Sequence, residues 1–491
     1  MKKIYILSLF AATLFSAVSC NDWLEATSST QLPADKVFDS KTGFYDAVSG
    51  VYILTGQGLY GNAATWQLVD AVCYPYQYNT QDMLFYRAQT HAYAATDVKG
   101  SIEGIWTSSY NVVANINLVL RELEAHRDVV PVDVEYRLLR GEMLAMRAML
   151  HFNLMRLFGT ADWSGENADK KTVPYVLGYD KEPTAQLSYE KTQELLLSDL
   201  MEALDCLKED PVTGNQPDYF ETSCNNEGFW NNRTLHMNYY AAEALAARVY
   251  QWLGDCDKAA EYAQDVIDKA LGGGTVSWVD AEAILSNPYL EYRDWSFTSE
   301  HLFSLEVAGL SALIAYTMMS ELSYSYILDS DFVSLLFPRV DPETGSVAGA
   351  EDIRGSALQL RFGSRGYRCY KLYGTSGSEY GDRMPMLKIS EMYYILAEKH
   401  IADGNNAQAL AALDAVRAQR AITDRFPSTA DAETELMKEY YREFICEGQL
   451  FYWLKHKQVQ ESLNPDFSLV ASDLVFPYPE EEINYGRVQE L

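Results

Sequence analysis

Two stretches of this chain carry the same plan for an antiparallel pair of helices, and that plan limits the fold more than any other feature. Residues 235–270 read LHMNYYAAEALAARVYQWLGDCDKAAEYAQDVIDKA, and residues 387–421 read LKISEMYYILAEKHIADGNNAQALAALDAVRAQRA. In each, an alanine (Ala247, Ala397) stands seven positions before a glycine (Gly254, Gly404), and another (Ala259, Ala409) stands five after it. Small residues at those points let two helices approach closely, while the glycine permits a sharp turn.

This is the logic of the tetratricopeptide helix–turn–helix unit. The two turns are far apart, so the repeats are interrupted and do not form a plain solenoid. The segment from Val134 to Gly159 reads as the strongest helix, with Leu139, Met143, Met146, Leu150, Leu154 and Leu157 on one face. Further helices are expected over Ile102–Ala125 and Tyr189–Leu207, and from Gly43 onward in FYDAVSGVY. The stretch 54–100 reads instead as loop, crowded with rings and broken by Gly and Pro. Residues 271–385 carry fewer periodic signals, with short strands such as HLFSLEVAG (301–309), and read as an insertion on a helical scaffold.

Before all of this lies a leader. Lys2 and Lys3 precede an apolar run from Ile4 to Val18, then Ala17 and Ser19 stand at −3 and −1 from Cys20. The run is too short to span a bilayer and reads as a secretory signal. A cysteine at the cleavage point is what lipoprotein processing needs, so Cys20 is the expected lipidation site and 1–19 the signal peptide. Residues 20–35 form a polar tether. Several acyl chains hold a protein stably, since each buried methylene contributes about 0.8 kcal/mol.

The formal charge is −30, and about −32 once Lys2 and Lys3 leave. That excludes a role resting on nucleic-acid phosphates or on bulk attraction to anionic lipid. The seven histidines show neither HExxH nor paired spacing, so no metal site and no cofactor are expected, although the many carboxylates leave structural calcium open. Six cysteines follow Cys20 and allow 15 pairings. Cys206 and Cys224 flank a loop and could bridge; free buried thiols are the alternative.

Several stretches, in order, resemble the SusD/RagB family of outer-membrane nutrient-binding lipoproteins. They are SCNDWLE (19–25) with FYDAVSGVY, IWTSSYNVVANINLVL (105–120), RGEMLAMRAMLHFNLMRLFG (140–159), the 387–420 hairpin, KEYYREFICEGQLFYWLKHKQ (438–458) and VFPYPEEEI (475–483). The last is similar to the family's proline-containing terminal strand. Within 438–458, Leu450 and Trp453 depart from the family pattern, standing where the family carries an Arg and an Asp. The resemblance implies a mainly α fold with tetratricopeptide-type hairpins and an irregular, loop-rich lobe with a few short strands. It divides the chain into an N-terminal region (36–225) and a C-terminal region (226–491).

The resemblance also implies a non-catalytic protein on the outer face of the outer membrane, anchored by lipid. Such a protein captures an oligosaccharide or peptide and hands it to a SusC-like TonB-dependent barrel transporter. Family sites draw on the loops before the Trp-containing helix and on the later insertion. Here those loops offer Trp66, Asp70, Tyr74, Tyr76, Tyr78 and Arg87, with Tyr292, Arg293 and Trp295. Rings cover the C–H patches of sugars, and the polar groups orient hydroxyls. Two rival readings share parts of this pattern. A surface glycoside hydrolase would need paired carboxylates, and Glu439, Glu443 and Glu447 share a helix face that reads as a solvated or ion-paired surface. A periplasmic tetratricopeptide scaffold binding only protein would have no need of the aromatic loop.

Overall fold

The computed structural model describes residues 34–77, 84–319, 326–337, 352–360, 366–374, 380–459, 463 and 469–484. The leader, Cys20, the tether up to residue 33 and Tyr78 lie outside the described residues.

The long helices, in chain order, are α1 (Lys41–Thr55), α2 (Thr96–Ala125), α3 (Asp133–Phe158), α4 (Tyr189–Cys206), α5 (Tyr239–Trp252), α6 (Cys256–Val266), α7 (Ile389–Ala402), α8 (Asn406–Ala418), α9 (Ala432–Glu443) and α10 (Gln449–His456). Successive helices pack as antiparallel neighbours: α2 on α3, α3 on α4, α5 on α6, and α7 on α8. Helix α6 packs on α7 across the long insertion between them, so the two hairpins of like sequence stack directly. Gly254 and Gly404 take φ of 77° and 73°, a left-handed conformation that costs glycine nothing. Ala247, Ala259, Ala397 and Ala409 are buried where the paired helices meet. Among the described residues no helix is long and apolar enough to cross a membrane.

Helix α3 differs from its expected one-sided pattern. Every residue from Gly141 to Phe158 is buried, so α3 runs through the centre of the helical body. Its polar members are matched internally: Arg147 makes two 2.7 Å bonds to Asp199 of α4, and a third at 2.8 Å to Asn117 of α2.

Strand β1 (Tyr76–Gln77) pairs with β3 (Ile327–Asp329), which pairs with β5 (Gly366–Cys369), which pairs with β4 (Leu358–Leu360), all antiparallel. A separate ribbon joins β2 (His301–Glu306) to β6 (Arg383–Lys388) and leads straight into α7. The strand expected at 301–309 is thus present. The strand expected at 475–483 is not. There a short helix, Glu480–Asn484, follows an extended stretch held by Phe476 N–H donating to the Leu157 carbonyl at 3.0 Å.

The stretch 54–100 is also corrected. It is mostly helical turns, including wide turns at Gly56–Tyr60 and Ala63–Gln67, a short helix Val69–Cys73 and another at Leu84–Gln89. Tyr60, Trp66, Tyr74 and Tyr76 face inward, and Tyr326 of the insertion packs against Trp66, Tyr76 and Phe85. The Cys206–Cys224 bridge does not form; the six described cysteines are all free.

Helix α9 and its exit carry the largest correction. Glu439, Glu443 and Glu447 are 0–1% exposed, so of the two expected readings the ion-paired one holds, but in the interior and not on a solvated surface. Glu443 accepts from Arg420 (2.8 and 3.1 Å), Arg354 (3.1 Å), Lys388 (3.2 Å) and Ser390 (3.0 Å). Glu439 accepts from Arg354 and Arg442 at 2.7 Å each, and Glu447 pairs with Lys388 at 2.8 Å and with Lys371. Buried charges persist only when matched in this way.

These pairs set the acid response. Burial alone would raise the Glu439 carboxyl, but Arg354 and Arg442 more than reverse that and hold it at about 2. Glu142 is likewise raised by burial and brought down to about 2 by Arg233 and His236. A depressed folded pKa gives stability that is complete above the unfolded value and is lost as pH falls toward the folded one. Each group then contributes roughly 3 kcal/mol that disappears between about pH 4.5 and 2. The thermal midpoint followed by circular dichroism should therefore fall steeply across that window. A flat profile would show that these carboxylates are not held as described.

Candidate functional site

Between the two hairpins the insertion builds an open groove of about 590 Å³. One wall is the segment 277–299. Asp280 caps the short helix Ala281–Ser286 by accepting from Ala283 N–H at 2.9 Å. The chain then turns at Asn287 and makes a single 3-10 turn at Leu290–Tyr292. Apolar residues below fix this wall: Trp295, Phe297 and Ile284 form a small core of their own with Ile353 and Ala357. The opposite wall is Tyr380 and Arg383, at the start of β6.

Three rings open on the groove. Tyr292 is 50% exposed, Tyr380 40%, and Trp278 is half-buried. Tyr289, 60% exposed, meets Tyr292 edge-on at 5.9 Å and extends the aromatic rim. Among them lie Asp280, Asn287 and two guanidinium groups. Arg293 is fixed by its own loop, donating to the Asn287 carbonyl at 2.7 Å while its guanidinium lies over Trp295. The Arg383 guanidinium makes no hydrogen bond or ion pair among the described residues. Asp294 accepts from Thr298 N–H (2.7 Å), Thr298 O–H (2.8 Å) and Ser296 O–H, so it braces the loop; burial pushes its pKa up. The groove thus offers flat apolar faces beside fixed donors and acceptors, which is the chemistry that grips a sugar ring.

The residues named from sequence separate into three groups. Tyr292 and Arg293 line the groove. Trp295 lies beneath it, 2% exposed, donating to the Leu290 carbonyl at 3.0 Å. Trp66, Asp70, Tyr74 and Tyr76 are corrected from ligand contacts to interior residues, all 0–3% exposed. Trp66 donates to the Gly61 carbonyl (2.8 Å) and Tyr74 to the Tyr441 carbonyl (3.0 Å), while Asp70 accepts from Gly448 N–H (2.8 Å). Tyr74 and Asp70 thereby hold the N-terminal segment against α9 and the start of α10, while Trp66 ties down its own turn. Arg87 pairs with Asp97 at 2.6 Å, at the start of α2. Sequence reading missed Trp278, Tyr380 and Arg383. Only the ring content of the insertion hinted at the first two, and nothing in RMPMLK marks Arg383.

A second groove, of about 710 Å³, runs along α2 past Trp106 and Tyr110. Its rings are already engaged. Trp106 is 8% exposed and packs edge-on against Phe158 and Tyr478, and the Tyr110 hydroxyl donates to the Pro174 carbonyl at 2.9 Å. Among the described residues no cluster of His, Cys, Asp and Glu could hold a metal ion.

Residues 22–218 match the family described as starch-binding and associating with the outer membrane, and residues 360–490 match the SusD family. The chain belongs to the SusD/RagB family. Its fold matches a SusD superfamily protein from Bacteroides thetaiotaomicron (TM-score 0.70, 21% identity, covering 92% of this chain and 99% of that one). It matches another from Bacteroides vulgatus equally well (TM-score 0.71, 20% identity, 92% and 98%). A laminarin-binding SusD-like protein aligns over 92% of this chain and 98% of its own, with TM-score 0.63 and 18% identity. No curated protein matches the chain.

The two classes of aromatic residue should separate cleanly on substitution. Tyr292→Ala and Tyr380→Ala should move stability by about 0.5 kcal/mol or less. Trp66→Ala and Trp295→Ala should each cost about 3–5 kcal/mol. Urea titrations of the four variants check this, and equal losses in all four would place the groove rings in the core.

Proposed function

We propose that this protein is a surface-exposed lipoprotein of the outer membrane, anchored through Cys20, that binds a glycan in the 277–299/380–383 groove. It delivers the glycan to a SusC-like TonB-dependent barrel and carries out no catalysis itself. The observation carrying the proposal is that three rings, Trp278, Tyr292 and Tyr380, line one groove with the Arg383 guanidinium, and one wall of that groove is braced from below. Family membership and the laminarin-binding relative support a carbohydrate as ligand.

Within this reading each part of the groove has a task. Tyr292 and Trp278 cover the C–H faces of successive sugar units, each stack contributing on the order of 1 kcal/mol. Arg383 and Asn287 hydrogen-bond hydroxyls and fix register. Arg293 and Asp294 keep the loop in its binding shape, which reduces the ordering cost of association. The helix face on which the rival hydrolase reading would have to draw is occupied: Glu439, Glu443 and Glu447 are all buried among cations.

Titration calorimetry against a panel of β- and α-glucans, other glycans and peptides tests the proposal. A glycan should bind, and Tyr292→Ala or Arg383→Ala should weaken it about tenfold or more, with no new reducing ends released on incubation. Binding that survives both substitutions, or turnover of the glycan, would overturn it.

A further inference from the structure

Arg156, near the end of α3, is a buried cation that no carboxylate matches. It is 3% exposed, and its guanidinium donates to the Asn153 side-chain oxygen on its own helix but makes no ion pair among the described residues. Its Nε is closed off from solvent and has no hydrogen-bond partner there. Rings surround the group instead: Tyr452 lies 3.9 Å from the guanidinium carbon, Phe152 4.1 Å and Trp252 5.6 Å. Ring faces attract a cation, but they replace neither its counter-ion nor the acceptor that Nε lacks. A second buried cation, Lys455, donates to the Arg156 carbonyl at 2.6 Å and is likewise without a carboxylate among the described residues.

Arg156 borders a cavity of about 20 Å³ where α3, α5 and α10 meet. One water-sized particle needs roughly 10–15 Å³. Three more unmatched polar atoms belong to side chains on the cavity wall: Gln251 Nε2, Trp252 Nε1 and the Tyr452 hydroxyl. Guanidinium and indole N–H groups can only donate. The carboxylate on the same wall, Glu391, is taken up by Arg248 through bonds of 2.6 and 2.5 Å. Burial lowers the pKa of His456, also on the wall, so it brings no second charge. The cavity is therefore lined by donors and carries one unbalanced positive charge. A water would answer the hydrogen bonds and leave the charge; an anion answers both.

We propose that this cavity binds one small monovalent anion, chloride, held by Arg156 and by the N–H and O–H donors of Trp252, Gln251 and Tyr452. The ion neutralises Arg156 and joins three helices that come from separate parts of the chain. A cavity of this size suits a monatomic ion, not gluconate or a sugar acid.

The site is independent of the glycan groove and is tested without a glycan. Thermal midpoints of the mature protein are measured in sodium chloride and in sodium gluconate at equal ionic strength. Crystals grown in sodium bromide are measured at the bromine absorption edge. Chloride should raise the midpoint by about 1–2 °C over gluconate once it is tenfold above its dissociation constant, and an anomalous peak should lie in the cavity against Arg156 and Trp252. Tyr452→Phe and Trp252→Phe keep a ring and remove one donor each, and either should lose at least half of the chloride-specific shift. Tyr452→Phe, which deletes a single oxygen, carries this comparison if Trp252→Phe does not fold. A bromide peak without a chloride-specific midpoint would mean an adventitious ion only. A midpoint difference without a peak in the cavity would mean binding elsewhere, and equal midpoints with no peak would mean water alone. Each of these overturns the proposal, as does a chloride-specific shift that survives both substitutions.

Discussion

Glu443 ties distant parts of this molecule together. It accepts bonds from Arg354 and Ser390 and pairs with Lys388 and Arg420, groups that arrive from three separate places in the sequence. Removing one partner from such a cluster leaves a charge buried and unmatched, which typically costs about 3–5 kcal/mol. The same cluster reaches the groove. Arg420 holds Glu300 with bonds of 2.6 and 2.7 Å, and Glu300 in turn accepts from Val279 N–H at 3.1 Å. Val279 lies on the groove wall, between Trp278 and Asp280. The charge cluster at the end of α9 therefore fixes where the insertion stands on the helical body, and with it the spacing of the groove walls.

Function in this fold then rests on a division of labour. The stacked hairpins supply a stiff body from local rules, small residues at crossings and glycine at turns. The insertion has less periodic structure and gains its rigidity from non-local charges, a small core under Trp295, and its sheet. Burying Trp66, Tyr74 and Tyr76 joins the N-terminal segment to that assembly, while Tyr289, Tyr292 and Tyr380 of the insertion face outward. A groove built in advance lets the contacts with a ligand appear as affinity instead of being spent on ordering the loops.

The hairpins were legible because their determinants lie within 36 residues or fewer. Periodicity, an alanine and a glycine specify each one. The α9 seam was not legible: Glu439, Glu443 and Glu447 share a helix face, the pattern of a wet surface, and their partners Arg354, Lys371 and Lys388 lie more than 50 positions away. The aromatic-rich 54–100 stretch misled for a related reason. A tyrosine that stacks on a sugar and one that donates to a distant carbonyl, as Tyr74 does to Tyr441, look alike until the chain is folded. Tyr292 and Arg293 could be named because the insertion as a whole resembles the family's ligand-bearing region. Arg383 stands out only once its neighbours are known to leave its guanidinium unengaged.

The central claim is that ligand meets the insertion groove and not the buried aromatic segment or the α2 groove. Hydrogen–deuterium exchange with and without a saturating glycan tests it most directly. The account predicts slower exchange confined to residues 277–299 and 380–383, with 54–77 and the first turns of α2 unchanged. Protection concentrated at 54–77 or along α2, with the insertion unaffected, would contradict it.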